Sequence, residues 1–261
     1  MTTTIAAPAA TVHRPAMVGP SLARLTGVEL RKLTDTRAGR WLLAAIGLIA
    51  AAIVTVQVFV LDDAEQTFRA FFTPSLFPVG LLLPVLGILS ITSEWSQRTA
   101  LTTFALVPRR DRVVVAKLAA LLLAALASVL VSLAVAAVGT LVAKATGGAG
   151  TWAFDWQLLP HAAVLQVANA LMGAAFGLLL LNTPLAIVSY LLLPTVWSIL
   201  AAMVTALRKP AEWLDTAVTM EPLLSAEVTA GQWGRLAVSL LVWLALPLAA
   251  GLVRVLRREV S

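Results

Sequence analysis

Side chains able to make or break bonds are few in this sequence, and they are scattered. The densest acidic group is Asp62, Asp63 and Glu65, and no base or metal-ligating partner accompanies it. Hydrolytic or transfer chemistry needs Asp, Glu, His or Ser grouped at one face. The two histidines, His13 and His161, lie far apart, which argues against clustered metal ligands. There is no cysteine, so disulfides and thiolate chemistry are excluded. No Gly-x-x-x-x-Gly-Lys-Ser/Thr stretch occurs, so the phosphate-cradling loop of a nucleotide hydrolase is missing. Catalysis is not what these residues are arranged for, and this chain is not expected to hold a metal or cofactor.

The elements around them explain the scatter. Six apolar stretches of about 20 residues each meet the length a helix needs to cross a bilayer. They lie near Trp41–Leu61, Pro74–Thr92, Leu118–Ala143, Ala162–Leu181, Pro184–Leu207 and Leu236–Leu256. No Asp, Glu, Lys, Arg or His falls within them except Arg254 in the last turn of the sixth. Of the 261 residues, 60% are hydrophobic and 12% charged, too apolar a balance for a water-soluble domain of this size. The expected fold is an all-α integral membrane domain over residues 21–261, preceded by a disordered Ala/Thr/Pro-rich tail at residues 1–20.

The net charge of +6 would suit nucleic acid, but its distribution follows membrane topology. With the N-terminus inside, fourteen of the nineteen Lys and Arg residues fall on inner segments, among them Arg24, Arg31, Arg109, Arg110 and Lys117. That bias places both termini in the cytoplasm, in the cytoplasmic membrane, with no nucleic-acid partner.

Ser21–Arg37 reads as an amphipathic interfacial helix. Leu22, Leu25, Leu30 and Leu33 share one side, and Arg24 and Arg31 take the other. Glu29 interrupts the apolar side, as a carboxylate would if it met a partner or a basic group of the same chain. Gly39 is read as the break before the first span. The connection Asp62–Thr73 carries Phe68, Phe71 and Phe72 at the outer interface. Pro78 and Pro84 predict a kink or a broken first turn in span two. The inner segment Ser93–Lys117 is the one sizeable inner loop between spans. Leu101, Phe104 and Ala105 mark a short helix there, ended by Pro108. Glu94 is placed to meet Arg37, Arg40 or Arg98. In span four, Gln166 and Asn169 suit a substrate path or helix packing, and Asn169, Gly173 and Gly177 share a face that allows close helix approach. The segment Arg208–Arg235 is too polar to span and is read as short outer helices.

The inner loop carries a family resemblance. Glu94 closing span two, then Thr99, Leu101, Pro108, Arg109 and Lys117 opening span three, resembles the ABC-2 type transporter permease pattern. Glu29-Leu-Arg-Lys-Leu33 with Arg37 resembles that family's N-terminal interfacial helix. Arg98 stands where many members have Gly before the Thr. The resemblance implies an ABCG-like (type V) transmembrane subunit of an ATP-driven exporter. Two permease chains, alike or related, would pair, each seated on a cytoplasmic ATPase that holds the ATP and Mg. The loop would hold the coupling helix, with Glu94, Arg98, Thr99, Leu101, Phe104, Pro108, Arg109 and Arg110 serving it. Leu22, Leu25, Glu29, Leu30, Leu33 and Arg37 would form the interfacial helix. The cargo expected is hydrophobic or amphipathic: a drug, natural product or lipid. The competing class is an ion-coupled secondary transporter or another polytopic membrane protein, weakened by the lack of charge within the spans.

Overall fold

The computed structural model describes residues 20–97 and 109–257, and ten α-helices organise those described residues. A short helix, α1 (Leu22–Asp35), precedes α2 (Arg37–Val60), α3 (Phe68–Ser96), α4 (Arg110–Ala145), α5 (Leu158–Leu180) and α6 (Thr183–Met203). Two short helices follow, α7 (Arg208–Leu214) and α8 (Thr216–Met220). The last long helix comprises α9 (Ala230–Leu240), one π turn (Leu241–Ala245) and α10 (Leu246–Arg257). Six helices of 21 to 36 residues are long and apolar enough to cross a membrane. Among the described residues there is no strand, only an isolated bridge between Thr67 and Thr151.

Successive long helices run antiparallel, which gives the bundle two ends. We call the end bearing α1, the foot of α3 and Arg257 basal, and the end bearing residues 61–67, 146–157 and 204–229 distal. Arg112 donates to the Pro20 carbonyl at 2.8 Å, and Arg110 donates to the Val255 carbonyl at 3.2 Å, so the two described ends of the chain lie side by side. The central helices are α3 and α5, with 61% of their apolar windows buried against 17–28% for α2, α4, α6 and the last helix.

Close approach explains that centre. A Cβ on Gly173 would strike the Pro84 backbone, with Pro84 Cα at 2.6 Å, and one on Gly177 would press on Ile88. Both glycines therefore let α5 lie against α3 within this chain. Helix α3 continues through Pro74, Pro78 and Pro84 without the broken first turn that its prolines suggest. Proline has no N–H for the carbonyl four residues back. The carbonyl of Ala70, which Pro74 leaves short of a donor, receives Gln57 Nε2 at 3.0 Å instead.

Several boundaries move. Thr36, not Gly39, divides α1 from α2: its hydroxyl caps α2 by accepting from the Gly39 N–H at 3.1 Å. Gly39 lies buried inside α2, where a Cβ would collide with the Leu33 carbonyl. Phe68, Phe71 and Phe72 belong to the first turns of α3 and are buried, not interfacial. They pack with Phe154 and Leu158 at the distal end, and Trp152 stacks on Phe68. Helix α4 starts at Arg110, two turns before the predicted span, and the last helix starts at Ala230 rather than Leu236. The span-five helix ends at Met203, and the segment beyond it forms short helices as read from its polarity.

Candidate functional site

Two polar constellations stand out in this apolar bundle, one at the basal end and one in the distal half. The basal one joins three helices. Helix α1 presents Thr26, Glu29 and Leu33 to the bundle, with Leu25 and Leu30 half-buried and Leu22 exposed. Its buried face is thus centred on Glu29 rather than on the leucine stripe, because Glu29 has cations to meet. Lys117 of α4 donates to Glu29 Oε2 at 2.7 Å, to Glu94 Oε1 at 3.0 Å and to the Ser90 carbonyl at 3.1 Å. Lys32 donates to Glu29 Oε1 at 2.7 Å and to Glu94 Oε1 at 2.8 Å.

Glu29 is 5% exposed and Lys117 only 4%. Taking such charges out of water costs several kcal/mol each, and only close, well-shared pairing offsets it. Two acids and two lysines give formal neutrality, and Lys117 directs its three N–H bonds at three oxygens. Burial alone would lower the Lys32 ammonium, but the hydrogen bonds it donates to Glu29 and Glu94 and the charges of those acids outweigh it and hold the group above its ordinary 10.5. A polar cleft of about 440 Å³ opens beside the cluster, with Thr36, Ser93 and Gln97 on its walls.

The sequence reading placed Glu94 with Arg37, Arg40 or Arg98. The cations that meet it among the described residues are Lys32 and Lys117. Arg37 is exposed at the first turn of α2. Arg109 is exposed and pairs with Asp111 at 2.9 Å, and Arg110 ties α4 to α10. Arg98, Thr99, Leu101, Phe104 and Pro108, with the short helix read there, lie outside the described residues, as do residues 1–19 of the tail. The sequence marks Lys117 as an inner-side cation opening span three, without its partners. The signal was a lone cation with apolar neighbours on both sides, Val113–Ala116 before it and Leu118–Leu123 after it.

The distal constellation contains no formal charge. Gln166 is fully buried and donates Nε2 to the Leu76 carbonyl at 3.0 Å. Asn169 Oδ1 lies 3.5 Å from the Tyr190 hydroxyl, a long contact. Asn169 borders a cavity of about 750 Å³ between α3, α5, α6 and α8, and Gln166 lies buried behind Gly80 of its wall. Gly173 and Gly177 lie one and two turns further along α5, packed on α3, so of the four candidates of this helix one lines the cavity, one lies behind its wall and two pack helices together. Phe77, Gly80 and Tyr190, also at this cavity, were not singled out, since isolated apolar or small residues within spans carry no pattern of their own.

At the distal surface, His161 Nδ1 contacts the Ser225 carbonyl at 2.9 Å and Arg235 pairs with Glu212 at 3.1 Å. Asp63 and Glu65 sit exposed in a 3₁₀ turn. Among the described residues, no three His, Asp or Glu residues gather as metal ligands do. Compared with known proteins, the chain matches no family model and no curated relative.

Proposed function

We propose that this chain is the transmembrane permease subunit of an ABC-2 type exporter, with both termini cytoplasmic and ATP hydrolysed by a separate subunit. In this reading the basal end faces the cytoplasm and α1 lies at the inner interface. The observation that carries it is the buried joint of Glu29, Lys32, Glu94 and Lys117. Glu94 lies in the last turn of α3 and Lys117 two turns into α4, so the two helices that bracket residues 98–108 are clamped to each other and to α1. A push on the inner loop or on α1 is then delivered to the central helix rather than absorbed locally. A two-state permease needs such a connection, because a ligand or motor shifts it only through contacts that differ between states.

Two copies of an ABC ATPase and a second permease, identical or related, complete the assembly, and the cargo is hydrophobic or amphipathic. The test is whether an ABC ATPase is encoded beside this gene and, if so, its co-expression with this chain. Stoichiometric co-purification and ATP-dependent transport in vesicles support the proposal, and full transport without any nucleotide-hydrolysing subunit overturns it. Glu94→Ala lowers transport while membrane insertion stays intact.

One observation favours an ion-coupled carrier instead: Lys117 is a buried titratable cation. That reading expects flux driven by an ion gradient alone and abolished by Lys117→Met.

A further inference from the structure

The distal cavity combines an apolar wall with two unequal amides. Phe77, Leu81, Leu165, Met172 and Leu191 are among the apolar side chains of the wall. Its floor is interrupted at Gly80, where the missing side chain leaves a notch in α3. A methyl group placed on Gly80 would lie 3.5 Å from Asn169 Nδ2 and 3.7 Å from Gln166 Oε1. Asn169 lines the cavity itself, and the notch at Gly80 is what brings the buried Gln166 Oε1 within reach of a group seated there.

Gln166 Oε1 is buried and has no hydrogen-bond partner among the described residues. Its orientation is fixed, because Nε2 is committed to the Leu76 carbonyl. Thr73 Oγ1, on the same wall, is likewise buried and unpartnered. Orphaned buried acceptors are uncommon, because each costs the solvation it gave up. Here the orphan lies beside an unused amide N–H of Asn169, so the notch offers one acceptor and one donor at a spacing that a single small polar group can bridge.

We propose that this notch is a ligand subsite for an uncharged amphipathic molecule whose head both donates and accepts a hydrogen bond, a carboxamide or an alcohol. The head sits over Gly80, donating to Gln166 Oε1 and accepting from Asn169 Nδ2. The apolar tail lies along Phe77, Leu81 and Leu191. A charged head is disfavoured: among the described residues the wall carries one carboxylate, Glu221, which is exposed, and no Lys or Arg. The volume suits a drug-sized molecule. The inference deepens the exporter reading by naming the cargo's chemistry, and to that extent rests on it.

The site supplies its own reporter, since Tyr190 on its wall is the only tyrosine in the chain. The full chain labelled with 3-fluorotyrosine, in phosphatidylcholine nanodiscs without ATP or ATPase, gives one ¹⁹F resonance from this cavity. It is titrated with decanamide, methyl decanoate, which accepts but cannot donate, and decyltrimethylammonium. Decanamide shifts the resonance saturably and binds about five- to tenfold more tightly than the other two, the margin of one net hydrogen bond. In Gly80→Ala, which the spacing admits without a clash, that preference disappears while the resonance and the melting temperature persist. Asn169→Leu reduces it as well.

Equal binding of the three amphiphiles, or an undiminished preference in Gly80→Ala, overturns the subsite. No step of the assay needs transport, so a failed subsite and a failed exporter reading are told apart: the first loses the preference, the second loses ATP dependence with the preference intact.

Discussion

The bundle buries polarity in two opposite ways. At the basal end it buries full charges and satisfies them, with four ionised groups sharing four close contacts and Lys117 donating a further bond to the Ser90 carbonyl. In the distal half it buries neutral amides and leaves part of their capacity unused. Removing a member from a satisfied charged network strands its partners, so such a network acts as a structural joint. A neutral pair with a spare donor and acceptor costs less to keep and stays open to a visitor. The basal charges connect helices, and in the proposed subsite the incomplete hydrogen bonding is what receives a ligand.

The comparison breaks first at Lys117. Lys117→Met leaves Glu29 and Glu94 facing each other with, among the described residues, the half-exposed Lys32 between them. The expected loss is about 3–5 kcal/mol, read as a fall in melting temperature of the chain in lipid nanodiscs. Adding Glu29→Leu restores a balanced Glu94–Lys32 pair and recovers most of that loss. A neutral Lys117→Met would show that the cluster is not a joint.

Two glycines of the central helix pair sharpen the contrast. Gly173→Ala forces a Cβ into the Pro84 backbone and costs about 1–3 kcal/mol in the same melt. Gly80→Ala has room, and exchanging Gly for Ala inside a helix changes stability by at most about 1 kcal/mol, toward gain. If both variants lose stability equally, the notch at Gly80 is packing rather than opening.

Gln166→Leu is smaller still. It gives up the bond to the Leu76 carbonyl but also removes an unpaired acceptor, and the two changes cancel to within about 1 kcal/mol. A large loss here would mean that the amide is structural, like the basal charges.

The mildest effect is on pH. Lys32 has its folded pKa raised, so its contribution is complete below the unfolded value near 10.5 and disappears only as pH climbs through the higher folded value. Melts of wild type and Lys32→Ala should therefore differ by a constant amount between about pH 6 and pH 9.

The six spans were legible because their signal is length and apolarity, both local properties of the chain. Helix ends were less legible. Arg110 and Lys117 are charged residues that a hydropathy reading stops at, yet helix α4 includes them because each finds a partner in another element. Phe68, Phe71 and Phe72 follow an acidic turn and read as interfacial, but Phe154 and Leu158, some 80 residues away, bury them. Glu29 was legible as an anomaly on an apolar face, and its partner was not, since Lys117 lies 88 residues further on. The pairing of Gln166 and Asn169 with Gly80 was invisible for the same reason: a notch is a property of two helices, and each sequence stretch shows only half of it.

Helix α6 hangs from α5 by only two residues, Leu181 in the left-handed region and Asn182. Asn182 caps it, and Thr183 bonds to Thr92 at 2.7 Å, so its basal tip is pinned while its flank is largely bare. That makes a lever arm about 30 Å long, and swinging it by about 10° carries the far tip roughly 5 Å. Tyr190, Leu191 and Pro194 ride on that arm, so any such swing would shift one wall of the distal chamber relative to the walls on α3 and α5.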